Sequence, residues 1–222
     1  MAHEIVVKIC GLSEPATLDV ALDAGADMVG FVLFEKSPRH VSLAAARDLA
    51  ARVEGRARKV ALVVDADDAA IASIVDRLSP DLLQLHGRET PARAAAIRAR
   101  FGLPLVRALG VATRADLDAA GAFAAHVDYL LLDARPPPQA TRPGGLGATF
   151  DWTIVENWRA PAPWLLSGGL TPENVGAALA ATGAPGVDVS SGVERAPGVK
   201  DAALIRAFIA AARALSSRSR KG

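Results

Sequence analysis

Residues 59–86 decide the fold. Lys59-Val60-Ala61-Leu62-Val63-Val64 is an unbroken aliphatic run, and Asp67 opens an Ala-rich amphipathic stretch that reaches Leu78. Pro80 stops that stretch, and Leu82-Leu83-Gln84-Leu85-His86 follows as a second apolar run. An apolar run without alternation suits a strand buried on both faces, as in a parallel sheet. Parallel neighbours need a crossover, and the amphipathic stretch supplies it.

The same unit recurs in both directions along the chain. Val6 to Cys10 and Met28 to Phe34 precede it as strand candidates. Leu105 to Leu109, Tyr129 to Asp133, Trp164 to Ser167 and Val187 to Ser190 follow it. Helix starts lie between them. Ser13-Glu14-Pro15 precedes Ala16 to Ala24, which Gly25 ends, and Ser42 opens a helix to about Val53. Thr90-Pro91, Thr113 and Thr171-Pro172 mark further starts, and a final helix spans about Lys200 to Leu215.

Eight strands alternating with helices predict an α/β protein whose parallel sheet closes into a single (β/α)8 barrel over residues 1–215. Residues 216–222 are expected to form a basic, disordered tail. An open doubly wound sheet is the structural alternative, but no Gly-rich dinucleotide turn follows the first strand. The long irregular stretch is Arg135 to Thr149, rich in Pro and Gly, and loops of that length are usually functional.

Composition narrows the partners. The chain has 222 residues, 51% hydrophobic and 22% charged, which is ordinary for a globular protein. Lys and Arg number 25 against 24 Asp and Glu, so no basic excess exists to grip nucleic acid. Cys10 is the only cysteine and cannot form an internal disulfide. The first residues, Met-Ala-His-Glu, carry an acid and no long apolar segment, and no apolar run approaches ~20 residues. A cytoplasmic protein without nucleic-acid or membrane partners is expected. The low aromatic content, 5%, offers no obvious interface and favours a monomer.

In such barrels chemistry gathers at the C-terminal strand ends. Cys10, His86, Asp133, Ser167 and Ser190-Ser191 fall there. Residues two apart share a strand face, which groups Lys8 with Cys10, Gln84 with His86 and Asp188 with Ser190. A lysine pointing into a barrel needs an anion, and the first and eighth strands of a closed barrel are neighbours. Lys8 is therefore predicted to pair with Asp188. Parity leaves the direction of Arg107 open. Gly168-Gly169 and Ser191-Gly192 follow strands seven and eight, where barrels often bind phosphate through backbone N–H groups. Gly144-Gly145 and Gly147 could close over a ligand from the long loop. His3, His40 and His126 show no metal-ligand spacing. By themselves, a lone cysteine in an apolar strand is a small buried hydrophobe and a strand-end aspartate a cap or ion-pair partner.

Motif order adds to this reading. Lys8-Ile9-Cys10-Gly11-Leu12, Lys36-Ser37-Pro38-Arg39, Gln84-Leu85-His86-Gly87 and Leu131-Leu132-Asp133 occur in sequence, followed by Gly144-Gly145-Leu146-Gly147 and Phe150-Asp151-Trp152. Ser167-Gly168-Gly169-Leu170, Pro172-Glu173-Asn174-Val175 and Gly186-Val187-Asp188-Val189-Ser190-Ser191-Gly192-Val193-Glu194 complete the series, with Pro197-Gly198 and Lys200-Asp201 just after. From Lys8 to about Phe208 the chain resembles the phosphoribosylanthranilate isomerase family of tryptophan biosynthesis. The resemblance implies an Amadori rearrangement of N-(5-phosphoribosyl)anthranilate without metal or organic cofactor. It implies Cys10 as general base and Asp133 as general acid, with Arg39 holding the anthranilate carboxylate. His86 is expected as a positioning residue at the substrate, and Gly168, Gly169, Ser191 and Gly192 as the phosphate cradle. Glu35 replaces the usual Pro before Lys36, and Leu146 and Ala148 replace the common Thr and Lys. A barrel that binds a phosphosugar without turning it over, or one acting on a related aminoaldose, is the alternative.

Overall fold

Strands that are apolar on both faces have no side to turn to water, and here they close on themselves. In the computed structural model, which describes residues 5–135, 139, 144, 145, 147 and 149–218, eight parallel strands follow chain order around a closed barrel. They are β1 (Val6–Cys10), β2 (Met28–Val32), β3 (Arg58–Val63), β4 (Leu82–Leu85), β5 (Leu105–Val111), β6 (Tyr129–Ala134), β7 (Trp164–Leu166) and β8 (Gly186–Val189). The last strand meets the first in register from Val6↔Gly186 to Ile9↔Val189. His86, Ser167 and Ser190 lie one step beyond their strands, where the backbone is free to turn.

The start signals act as local chemistry predicts. Ser42, Asp67 and Thr90 each accept a backbone N–H three residues on, at 3.2, 2.8 and 3.2 Å. They cap α2 (Leu43–Ala51), α3 (Asp68–Leu78) and α4 (Pro91–Phe101); α1 is Pro15–Asp23. Thr113 opens only a 3-10 turn, Arg114–Asp118, which leads into the short α5 (Ala119–Phe123).

Three local readings are corrected. The helix expected behind Thr171-Pro172 begins later, as α6 (Val175–Thr182), because Asn174 Oδ1 takes the Thr171 N–H at 2.8 Å and holds a turn. Between β6 and β7 the described residues hold a 3-10 turn, Trp152–Val155, rather than an α-helix. Lys200 is not helical. Pro197-Gly198 reverses the chain between β9 (Glu194–Ala196) and β10 (Val199–Lys200), an antiparallel pair. Asp201 then caps α7 (Ala202–Arg218) by accepting the Ala203 and Leu204 N–H groups at 2.8 and 3.0 Å. This helix runs past Leu215, while residues 219–222 lie outside the described residues. Among the described residues no helix is long and apolar enough to cross a membrane.

Strand parity sorts the core into layers. Val7, Ile9, Phe31, Leu83, Leu130 and Leu132 face the helices. Met28, Val60, Leu82, Val106, Leu131 and Leu165 fill the lower barrel, and Cys10, Val32 and Leu62 lie above them. Between these layers Lys8 is fully buried and its Nζ lies 2.6 Å from Asp188 Oδ1, as parity and closure predict. Arg107 takes the outer face. It donates to Glu89 at 2.8 Å and lies 5.0 Å over the Phe123 ring, away from the barrel interior.

Breaking a buried pair strands a charge, whereas replacing both partners need not. Lys8→Met is expected to lose about 3–5 kcal/mol of stability in urea unfolding, and Lys8→Met with Asp188→Leu to recover most of it. A single variant as stable as the parent would mean that the two charges are not held together.

Candidate active site

Because Cβ positions alternate along each strand, Cys10, Asp133, Ser167 and Asp188 all reach the inside of the barrel near its C-terminal end. The loops behind them close a cleft of about 810 Å³, counting space open to solvent. Cys10, Asp133, Arg39, His86, Gly168, Gly169, Ser191 and Gly192 all line it. The structure thus brings together every site residue expected from the sequence. His40 and His126 lie outside the cleft, and His3 lies outside the described residues.

Cys10 ends β1 with only 4% of its surface exposed. Gly30 stands beside it in register, and a Cβ there would come within 2.9 Å of the Cys10 sulfur. Burial pushes the thiol above its ordinary value, the Lys8 ammonium pulls it down, Asp188 raises it and Lys200 lowers it. Burial likewise works against the Lys8 ammonium, but Asp188 and Cys10 outweigh it and hold the lysine protonated.

Asp133, one residue before the end of β6, holds a half-fixed carboxyl group. Its Oδ1 accepts the Ala134 N–H at 2.9 Å, and its Oδ2 lies 3.4 Å from His86 Nε2. Gln84, fully buried on β4, lies with its side-chain amide 2.8 Å from His86 Nδ1 and holds the ring in place beside Asp133. Gly144 lies against this pair: a Cβ there would fall 2.5 Å from Asp133 Oδ2. Gly145 O accepts from Arg39 Nη2 at 3.2 Å. Leu146 and Ala148, where the sequence departs from the family pattern, lie outside the described residues.

Arg39 reaches the cleft already partnered. Its Nε and Nη2 make a two-pronged contact with Glu194 at 2.7 and 2.8 Å, and both side chains are buried. Glu194 Oε1 also lies 2.8 Å from Lys200 Nζ, which donates to Ser190 O at 2.8 Å. Burial opposes the Glu194 charge, but Arg39 and Lys200 together hold its carboxyl below the usual range. Sequence reasoning assigned Glu194 and Lys200 no role. The signal that could have found them is the Pro197-Gly198 turn, which places two polar residues on facing arms of a hairpin.

On the opposite side Asn174 fixes the glycine loop after β7, donating to Gly169 O at 3.0 Å while it accepts from Thr171. Ser191 begins a 3-10 turn, Ser191–Val193. Gly192 passes so close to Leu170 that any Cβ there would overlap the Leu170 carbonyl. Backbone from two loops thus converges where no side chain fits, an arrangement suited to an anion.

Known proteins resemble this chain in sequence and in fold. A family model described as N-(5′-phosphoribosyl)anthranilate (PRA) isomerase matches residues 7–211. The N-(5′-phosphoribosyl)anthranilate isomerase of Nitrobacter hamburgensis is 61% identical over 210 residues, 95% of this chain and 93% of that protein. The phosphoribosyl anthranilate isomerase of Thermotoga maritima superposes with a TM-score of 0.85 at 34% identity, over 95% of this chain and 99% of its own. An enzyme of the same name, solved with reduced 1-(o-carboxyphenylamino)-1-deoxyribulose 5-phosphate, gives a TM-score of 0.83 at 31% identity, over 95% and 99% of the two chains.

Gly192→Ala overpacks a backbone contact and is expected to lose about 1–3 kcal/mol of stability. Thermal unfolding reads this as a lowered midpoint, and a parent-like midpoint would show slack between the two loops.

Proposed function

Since the chain belongs to the N-(5′-phosphoribosyl)anthranilate isomerase family, we infer that Cys10 and Asp133 divide the acid–base work of its reaction. The enzyme catalyses the Amadori rearrangement of N-(5-phosphoribosyl)anthranilate to 1-(2-carboxyphenylamino)-1-deoxyribulose 5-phosphate in tryptophan biosynthesis. The observation that carries the assignment of roles is that the chain's one thiol and the Asp133 carboxyl, from β1 and β6, open onto the same cleft.

Asp133 acts first. Its Oδ2, steadied by His86, gives a proton to the furanose ring oxygen as the C1–O bond breaks, leaving an open-chain protonated imine. That cation acidifies the C2 hydrogen. Cys10, as thiolate, removes it to give an enolamine, and protonation at C1 with loss of the enol proton gives the ketone. Base and acid come from different strands, so their environments are set separately: an ammonium-flanked pocket for Cys10, a backbone N–H and an imidazole for Asp133.

Binding follows the charges. The Gly168-Gly169 and Ser191-Gly192 loops take the phosphate through their backbone. Arg39, with Glu194 fixing one edge of its guanidinium, turns the remaining donors toward the anthranilate carboxylate. The low aromatic content, 5%, is what favours a monomer. A thiol that must stay reduced suits the cytoplasm. A binding-only barrel would need neither the thiol nor the strand-end carboxylate.

Cys10→Ala and Asp133→Asn are each expected to lower kcat by about 10²–10⁴ with the circular dichroism spectrum unchanged. The measurement is loss of substrate fluorescence with freshly made phosphoribosylanthranilate and no added metal. Near-parental turnover by either folded variant would overturn that residue's role. Sedimentation equilibrium is expected to return the mass of one chain; a dimer mass would correct the monomer reading.

A further inference from the structure

A thiolate at Cys10 would be a buried charge, and buried charges need compensation. The charged groups that face it come from several elements. Lys8 lies two residues before it on β1, with Asp188 opposite on β8 at 2.6 Å. Lys200 approaches from the β9–β10 hairpin, with Glu194 and then Arg39 behind it. Asp133 and His86 stand on the wall formed by β6 and the loop after β4.

These groups do not cancel evenly. Lys8 and Asp188 form a closed pair, one cation to one anion. On the other side Glu194 is shared: Oε1 meets both Lys200 Nζ at 2.8 Å and Arg39 Nε at 2.7 Å, while Oε2 meets Arg39 Nη2 at 2.8 Å. One carboxylate serves two cations, so this side carries one positive charge in excess. Lys200 is the member of the triad that is wired to Cys10. Its Nζ is 3.2 Å from Ser190 Oγ, and that hydroxyl donates to Cys10 O at 3.0 Å.

We propose that Lys200 is a positioning residue for the catalytic base: its ammonium, delivered by the β9–β10 hairpin and anchored by Glu194 and Ser190, supplies the unbalanced positive charge that a Cys10 thiolate requires. The electrostatics run in the same direction. Burial is the main force holding the thiol protonated; Lys8 opposes it most, Asp188 takes back part of that, and Lys200 is the next charge that opposes it. Burial also depresses the Lys200 ammonium, and Glu194 followed by Cys10 resists that loss. The proposal deepens the assignment of Cys10 as base and rests on it.

Cys10 is the chain's only cysteine, so the pH dependence of iodoacetamide alkylation reads this thiol alone. Three forms of the full-length protein decide the matter, each normalised to its own high-pH plateau. Lys200→Gln keeps a hydrogen-bond donor for Ser190 but loses the charge. Its alkylation at neutral pH is expected to slow about tenfold, with the midpoint moved to higher pH. Lys200→Arg keeps a charge that cannot be lost, so its midpoint is expected to stay at or below the parent's. A folded Lys200→Gln with the parent's profile would overturn the proposal. If the Gln variant does not fold, the Arg variant decides alone, and a midpoint raised above the parent's would overturn it. Alkylation does not measure turnover, so these outcomes are distinct from the base assignment, which fails only if Cys10→Ala still turns over substrate.

Discussion

Lys8 has no exposed surface, and its ammonium meets Asp188 at 2.6 Å across the seam between β1 and β8. An unpaired ammonium in that position would cost several kcal/mol, so the first strand cannot be buried unless the last one arrives beside it. The two residues are 180 positions apart in the chain. Closure of the barrel and neutralisation of this lysine are one event. The pair also reaches β7, because Ser167 Oγ donates to Asp188 Oδ2 at 3.3 Å. That contact matters where the β7–β8 ladder is short, with Leu166↔Val187 as its paired register.

Asp188 of this pair lines the cleft, with Lys8 buried behind it. Cys10 sits one inward position higher on β1, next to a cation already balanced. The excess positive charge comes from the other side, through Arg39, Glu194 and Lys200. A two-stranded hairpin as short as β9–β10 has little stability alone. Its place is secured by the ion contacts that run through it and by the Gly198 N–H, which donates to Glu194 Oε2 at 3.2 Å. Structure and electrostatics are therefore not separable here: the contacts that seat the hairpin are the ones that deliver charge to the thiol.

A different set of residues stiffens the loops without entering the cleft. Glu89, buried just before the Thr90 cap of α4, accepts from Asp65 N at 2.9 Å, Gly87 N at 2.8 Å and Arg107 Nη1 at 2.8 Å. It ties together the turns after β3 and β4 directly behind His86. Asn174 does the same work behind Gly169. The loops after β4 and β7 are thus each braced by a side chain outside the cleft, which is how a strand-end site keeps its geometry.

Period and punctuation were legible in the chain. Aliphatic runs without alternation, capped Ala-rich stretches and stop signals are consequences of local backbone preference and of which faces meet water. They foretold the eight strands, the caps at Ser42, Asp67 and Thr90, and through parity the Lys8–Asp188 pair. The motifs at the strand ends foretold which residues would meet in the cleft. What folding alone decided is who partners whom over long separations. Arg39 and Glu194 lie 155 residues apart, and no local signal distinguishes a guanidinium bound for a substrate from one already shared with a carboxylate. Lys200 read as the start of a helix because an Ala-rich stretch follows it, yet the Pro197-Gly198 reversal and the buried Glu194 hold it in a strand. Arg107 faced outward because an acidic partner, Glu89, waited there. Secondary structure answers to neighbours a few residues away, whereas a buried charge answers to whichever opposite charge the closed barrel brings within 3 Å.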